Sequence, residues 1–185
     1  MIKKVNTPLT DEVINNLKSG DRVLLSGIIY TGRDAAHKRL AELIDKGEEL
    51  PMDIRNQTIY YVGPCPAKPG QPIGSAGPTT STRMDAYAPL LMDKGLKGMI
   101  GKGFRSQQVV DSIIKNNAVY FAAVGGAGAL LAEAIKEAEV IAFPDLGAEA
   151  IYKLRIEDFP VTVIIDNQGN DLYKIGKKKY KIVAL

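Results

Sequence analysis

The feature that most constrains the fold is an alternation of short β-branched segments with helical ones, joined at glycines. Arg22 to Tyr30 predicts a strand, and the apolar spacing from Ala36 to Ile44 predicts a helix after it. The order recurs where Ala118 to Val124 turns at Gly125-Gly126 into an alanine-rich helix, Ala127 to Ile135. This alternation predicts a layered α/β domain, and the sheet should be mixed because extra strands are expected at both ends.

Other segments extend the same pattern. Further strands are predicted at Thr58 to Val62, Gly98 to Gly101, Glu139 to Phe143 and Val161 to Ile165. Helices are predicted after the capping hydroxyls of Thr10 and Ser106, from Thr82 to Met92 with an interruption at Pro89, and from Gly147 to Leu154. Leu172 to Ile175 and Tyr180 to Val183 are predicted to form a closing hairpin. Four prolines and three glycines keep residues 63–74 irregular.

Composition excludes several classes of protein. With 185 residues and 45% hydrophobic content, residues 1–185 are predicted to form one globular domain. A net charge of +3 and the lack of tryptophan disfavour nucleic-acid binding. No apolar run approaches the roughly 20 residues that cross a bilayer, so no membrane span is expected. A single cysteine and a polar start without an apolar leader predict a cytoplasmic protein.

Several sequence features resemble known ligand-binding or metal-binding motifs but do not match their residue patterns. Gly101-Lys102-Gly103 lacks the first glycine and the hydroxyl of a phosphate-binding P-loop. The turn from Gly125 to Gly128 has the wrong spacing for a dinucleotide fingerprint, so close packing and a weak anion site both stay open. His37 has a solvent-facing or structural role by default, and Cys65 is interpreted as a structural cysteine. Neither residue alone makes a metal site.

The strongest local signal is a run of four hydroxyls, Thr79 to Thr82, followed by Arg83 and preceded by a glycine-proline approach. One or two of these hydroxyls could cap a helix, but four of them and an arginine exceed that need. Arg33 and Lys102 are two more cations where strands meet loops, the place at which α/β folds build sites. Together they predict a pocket for a small ligand with two carboxylates.

The chain resembles the β subunit, or C-terminal domain, of class I iron-sulfur fumarate hydratases and the related L-tartrate dehydratases. Five blocks carry the resemblance in family order: Tyr30-Thr31-Gly32-Arg33-Asp34-Ala35-Ala36-His37, Gly77-Pro78-Thr79-Thr80-Ser81-Thr82-Arg83-Met84-Asp85, Ile100-Gly101-Lys102-Gly103, Val124-Gly125-Gly126-Ala127-Gly128-Ala129 and Gly147-Ala148-Glu149-Ala150-Ile151-Tyr152. The block from Gly77 to Asp85 is specific, whereas the short Gly-Lys-Gly block means little alone.

The resemblance implies a swivelling β/β/α domain that closes over an active site shared with an α subunit, in an α2β2 assembly. It implies a four-iron, four-sulfur cluster held by three cysteines of that partner, with one iron open to substrate. In this chain it implies that Arg33, Arg83 and Lys102 bind substrate carboxylates, that Thr79 transfers a proton, and that Thr80 hydrogen-bonds substrate. The family's histidine and acid belong to the partner, so His37 does not inherit their roles.

Three functions therefore stay open at this point. The first is reversible hydration of fumarate to (S)-malate by this chain together with an α subunit. The second is dehydration of L-tartrate or hydration of a methylated fumarate, which would use the same cations. The third is a carboxylate-binding domain that acts alone and has no activity. The joint presence of Arg33, Thr79, Arg83 and Lys102 disfavours the third.

Overall fold

Seven strands form one sheet in the computed structural model, which describes residues 1–181. The strands are β1 (Ile2–Asn6), β2 (Arg22–Thr31), β3 (Thr58–Tyr60), β4 (Gly98–Gly101), β5 (Val119–Ala122), β6 (Ile135–Ala142) and β7 (Ile151–Ile165). The helices are α1 (Asp11–Asn15), α2 (Asp34–Lys46), α3 (Ala88–Asp93), α4 (Gln107–Lys115), α5 (Gly128–Glu133) and α6 (Leu172–Tyr180). Short 3-10 segments occupy Ser81–Met84 and Pro144–Glu149.

The sheet is mixed and closes on itself. Strands β2, β3, β4 and β5 run parallel as neighbours, and β7 pairs antiparallel with both β2 and β5. These five strands therefore form a ring. Strand β1 adds to β2 in parallel, and β6 adds to β7 in antiparallel orientation. Because β2 to β5 are parallel neighbours, their carboxyl ends meet at one edge, which we call the carboxyl edge.

Each face of the ring packs its own apolar core. Alternate side chains of a strand point to opposite faces, so Tyr60 and Val62 join one core while Ile59 and Tyr61 join the other. The first core takes residues from all five ring strands and from α1. The second lies between the sheet and the helices α2, α3 and α4. This layering is the mixed α/β architecture predicted from the alternation of strands and helices.

Most helix boundaries follow their predicted signals. The hydroxyl of Thr10 accepts the Val13 N–H at 3.3 Å, and that of Ser106 accepts the Val109 N–H at 3.3 Å. Pro89 lies in the first turn of α3, so the predicted helix from 82 to 92 is interrupted, as its proline indicated. Among residues 1–181, no helix combines the length and the apolar character needed to span a bilayer.

Two predicted elements are wrong and one strand was not predicted. Phe143 and Gly147 adopt φ of 55° and 57°, so a 3-10 segment replaces the start of the predicted helix at 147–154, and Ile151 already begins β7. The predicted hairpin fails because Leu172–Tyr180 is a helix, begun by Asp171, whose carboxylate accepts the Tyr173 N–H at 3.0 Å. The last residues of that hairpin, 182 and 183, lie outside the described part. Strand β1 had no clear sequence signal.

Candidate active site

The segment with the two threonines lies between the extensions of β3 and β4 at the carboxyl edge. The Thr79 N–H donates to the Tyr61 carbonyl at 2.8 Å, and Thr80 forms a parallel bridge with Lys102. The Ser81 N–H then donates to the Lys102 carbonyl at 2.9 Å. The segment therefore acts as a short extra strand, which brings Thr79, Thr80 and Lys102 together although more than twenty residues separate them in sequence. Thr79 is half-buried and Thr80 is exposed.

Two arginines meet at a shared carboxylate on the same edge. The Arg83 Nε lies 2.9 Å from the Asp34 Oδ1, and the Arg33 Nη2 lies 3.8 Å from the Asp34 Oδ2. Arg33 also pairs with Glu149, with 3.2 Å between Nη2 and Oε1. A methyl group at Gly63 would lie 2.9 Å from the Arg33 Nη1 and 3.1 Å from its Cδ, so glycine here lets the guanidinium lie close to the backbone. Sequence reasoning predicted the arginines but not their carboxylate partners.

The arginines and the threonines lie next to the same short segment, residues 61–63. The Tyr61 carbonyl accepts the Thr79 N–H, and Gly63, two residues later, lies against the Arg33 side chain. Lys102 is exposed, and its Nζ would lie 3.9 Å from a methyl group at Gly125. No carboxylate of residues 1–181 lies within 4.0 Å of that Nζ. Lys102 thus offers its charge to solvent or to a ligand.

A hydrogen-bonded layer lies beneath Thr80 and Lys102. The Ser81 Oγ accepts the Lys102 N–H at 3.1 Å and lies 2.9 Å from the Tyr120 hydroxyl, which donates to the Gly103 carbonyl at 2.9 Å. The hydroxyl of Ser81 therefore holds the edge together and does not cap a helix. A methyl group at Gly101 would overlap that Oγ, which explains the glycine before Lys102.

A buried ion pair supports this layer, and the sequence analysis missed it. The side chain of Arg105 is 0% exposed, and its Nε donates to the Asp85 Oδ1 at 2.6 Å. Its guanidinium carbon lies 4.9 Å from the ring centre of Tyr120 and 5.5 Å from that of Tyr61. Arg105 thus holds both tyrosine rings in position through cation–π contacts. Asp85 is the last residue of the block Gly77 to Asp85. A carboxylate at the end of that block was the sequence signal that could have indicated an internal ion pair.

His37 has the structural role, not the solvent-facing one. It is fully buried, its ring lies edge-on to Tyr61, and its Nδ1–H donates to the Arg33 carbonyl at 2.9 Å. Burial lowers the pKa of His37 to about 4, and the nearby charge of Arg105 acts in the same direction. The imidazole is therefore neutral near pH 7 and supports the first turn of α2 below Arg33.

The remaining motif residues do not make a ligand site. A methyl group at Gly128 would lie 2.9 Å from the Gly77 backbone nitrogen, so close packing explains this glycine, whereas Gly126 is explained by its φ of 82°. The Cys65 thiol is free and exposed, so it packs into neither apolar core. Residues 1–181 contain no group of three or more metal-ligating side chains. A four-iron, four-sulfur cluster needs several thiolates, so the residues of this chain do not fit one.

Comparisons with known proteins show which proteins this chain is similar to. The family model described as Fumarase C-terminus matches residues 2–176. The chain is 48% identical to "Fumarate hydratase class I, anaerobic" of Escherichia coli over 155 residues, which cover 83% of this chain and 28% of that protein. It is 42% identical to "Fumarate hydratase class I, aerobic" of Salmonella typhimurium over 175 residues, 92% of this chain and 30% of that protein.

A further relative has nearly the same length as the matched region. "Putative L(+)-tartrate dehydratase subunit beta" of Methanocaldococcus jannaschii is 37% identical over 180 residues, which cover 94% of this chain and 92% of that protein. The chain thus spans about 30% of the two fumarate hydratases but almost the whole of the tartrate dehydratase subunit. Since the family model covers nearly the entire chain and these relatives exceed 30% identity, the chain belongs to the Fumarase C-terminus family.

Proposed function

We propose that this chain is the β part of an iron-sulfur hydro-lyase that hydrates fumarate reversibly to (S)-malate in the cytoplasm. The observation that supports the proposal is that Arg33 and Arg83 meet at Asp34 while Thr80 pairs with Lys102, all at the carboxyl edge of the sheet. The names of the relatives support the reaction class. A dicarboxylate matches a site with three cations, because guanidinium groups pair with carboxylates bidentately and lysine adds a point charge.

An α chain would complete this enzyme. The fumarate hydratase relatives extend well beyond the matched region, and the tartrate dehydratase relative is named a subunit beta. Arg83, Lys102 and Thr80 are exposed and Arg33 is partly exposed, so a second chain can cover this edge. Because the residues of this chain do not fit the cluster, we assign the cluster to the α chain and propose an α2β2 assembly that closes by a swivelling motion of this domain.

The residues of this chain would bind the substrate and stabilise charge. Removing a proton from the carbon beside a carboxylate places additional negative charge on that carboxylate. Fixed cations such as Arg33 and Lys102 stabilise that charge more in the transition state than in the bound substrate. The layer under Lys102 keeps its backbone in place before substrate arrives, so little reorganisation is needed.

Thr79 is the residue we propose for proton transfer. Its backbone is fixed by the Tyr61 carbonyl, and it is less exposed than its neighbour Thr80. A threonine hydroxyl is a weak base at its ordinary pKa, so the cations at this edge must favour its deprotonated form. Thr80, which is exposed beside Lys102, would donate a hydrogen bond to substrate.

The test compares threonine-to-valine variants in the complex reconstituted with an α chain without oxygen. Thr79→Val should lower kcat by roughly a hundredfold or more, while Thr80→Val should mainly raise KM. Thr82→Val, an exposed threonine in the same block, is the matched control and should leave both constants unchanged. The chain without its partner should show neither iron-sulfur absorption nor activity. A Thr79→Val enzyme with normal kcat would refute the proton-transfer role.

A second function is favoured by one specific observation. The relative that matches this chain over nearly its full length is named for L(+)-tartrate dehydratase. The same cations would bind tartrate, and a methylated fumarate would also fit them. Comparing kcat/KM for fumarate, methylfumarate and L-tartrate in the reconstituted complex decides between these substrates. If the complex processes none of them and the chain binds dicarboxylates alone, the protein is the binding domain without activity.

A further inference from the structure

Two carboxylates of this chain, those of Asp34 and Glu149, both pair with Arg33. Asp34 follows Arg33 directly and pairs with Arg83 at 2.9 Å, so it connects the two arginines. Glu149 approaches from the loop before β7 and lies 3.2 Å from the Arg33 Nη2. The Arg33 Nε is buried and has no hydrogen-bond acceptor among the described residues. The two internal carboxylates therefore leave the hydrogen-bonding capacity of Arg33 incompletely used.

The two carboxylates are held very differently. Asp34 lies in the first turn of α2, a helix of 13 residues whose N-terminal end favours a negative charge. Its Oδ2 is buried without a hydrogen bond in residues 1–181, so the nearby Arg33 is needed to balance its charge. Asp34 is therefore fixed in place.

Glu149, in contrast, ends a 3-10 segment that is interrupted at Gly147, where φ is 57°. Beside Arg33, its carboxylate accepts only a long bond, 3.4 Å, from the Ala35 N–H. Gly147 and Ala148 just before it are exposed. Glu149 can therefore leave Arg33 at little cost.

We propose that Glu149 occupies the place on Arg33 that a ligand carboxylate takes, and that Asp34 is the positioning residue that sets the spacing of Arg33 and Arg83. This inference rests on the carboxylate-binding role proposed above for the arginines. When a dicarboxylate arrives, Glu149 leaves Arg33 and one ion pair replaces another. Asp34 stays, so the two guanidinium groups keep the separation that a ligand with two carboxylates requires.

The test follows the side-chain resonances of Arg33 by ¹⁵N NMR in the full 185-residue chain during titration with succinate and, separately, acetate. Glu149→Gln removes the competitor, so Kd for both ligands should fall by about two- to fivefold. Asp34→Asn removes the link between the arginines but also one negative charge. The Kd of succinate should therefore rise by about threefold or more, whereas the Kd of acetate, which needs one arginine, should fall.

The matched control is Glu137→Gln, because Glu137 also pairs with an arginine, Arg155, at 2.7 Å but lies on β6. Both Kd values should stay within about twofold of the parent, as for an exposed pair. The inference fails if Glu149→Gln does not tighten binding, or if Asp34→Asn moves both ligands in the same direction. Tightening of both would mean a simple charge effect, and weakening of both would mean damage to the fold. Unchanged Arg33 resonances with either ligand would also overturn it.

This experiment is separate from the test of the hydro-lyase activity. If the reconstituted complex does not hydrate fumarate while the two Kd values change as expected, the proposed function fails and the roles of Asp34 and Glu149 stand. If the complex is active and the Kd values do not change in this way, the function stands and these roles fail.

Discussion

The buried His37 should make the stability of this chain depend on pH in a defined way. In the folded chain its pKa is lowered to about 4, chiefly by burial. In the unfolded chain an exposed imidazole has a pKa of about 6.5. Between these two values the unfolded state binds more protons than the folded state, so the free energy of unfolding must fall as the pH falls through this window.

The size of the effect follows from the difference between the two pKa values. A difference of about 2.5 units corresponds to about 3 kcal/mol in total, since one unit is worth about 1.4 kcal/mol. About 2 kcal/mol of this should be lost between about pH 7.5 and about pH 5. His37→Phe keeps an aromatic ring beside Tyr61 and loses the bond to the Arg33 carbonyl, which still accepts the backbone N–H of residue 37. We expect the variant to be about 1 kcal/mol less stable than the parent near pH 7.

Urea unfolding followed by circular dichroism at a series of pH values measures both quantities. The parent should lose stability on acidification more steeply than His37→Phe, and the two curves should cross near about pH 6. His37 is the chain's only histidine, so no other imidazole contributes to the difference. Parallel curves for parent and variant between about pH 5 and about pH 7.5 would refute a neutral, buried His37.

Two further substitutions test the carboxyl edge. Gly101→Ala should destabilise the chain by about 2 kcal/mol in urea unfolding, because the new methyl group overlaps the Ser81 Oγ and approaches Tyr61 to 2.9 Å. Gly176→Ala, in α6 with nothing within 4 Å of the added carbon, is its control and should be neutral or stabilising. Arg83→Lys should lower the activity of the complex by roughly tenfold to a thousandfold, because lysine lacks the planar fork. Arg55→Lys in an exposed pair should not, and activity of Arg83→Lys within about twofold of the parent would exclude Arg83 from the site.

The sequence predicted the elements whose signals are local. The cap at Thr10, the period of α2 and the β-branched run of β2 each specify one element from its own residues, and the structure has all three. Residues 147–154 failed because pairing of β7 with both β2 and β6 outweighs the local helical pattern. Leu172 to Ile175 look β-like and still begin the helix Leu172–Tyr180, because Asp171 supplies a cap.

The candidate site also combines residues that local sequence indicates with contacts between residues that are far apart in sequence. Strand ends pointed to Arg33 and Lys102 as candidate site residues and the hydroxyl block pointed to Arg83, and parallel pairing brings the carboxyl ends of β2, β3 and β4 to one edge. The partners of those residues could not be found in this way. The Asp85–Arg105 pair joins residues 20 positions apart, and the contact of Arg33 with Glu149 spans more than a hundred. The Arg33–Glu149 contact depends on the pairing of β7 with β2, which no local pattern encodes.

A layer of buried side chains lies beneath the exposed residues of the proposed site. Arg105, His37 and Tyr61 are buried, whereas Thr80 and Lys102 are exposed on the same edge. A buried ion pair costs desolvation energy that an apolar core would avoid, so its presence under this edge favours a positional role over a purely stabilising one. The rigid layer would hold the exposed groups in one geometry before any ligand or partner is bound. The free energy of binding would then be spent on covering the site and displacing Glu149, and not on assembling the cations.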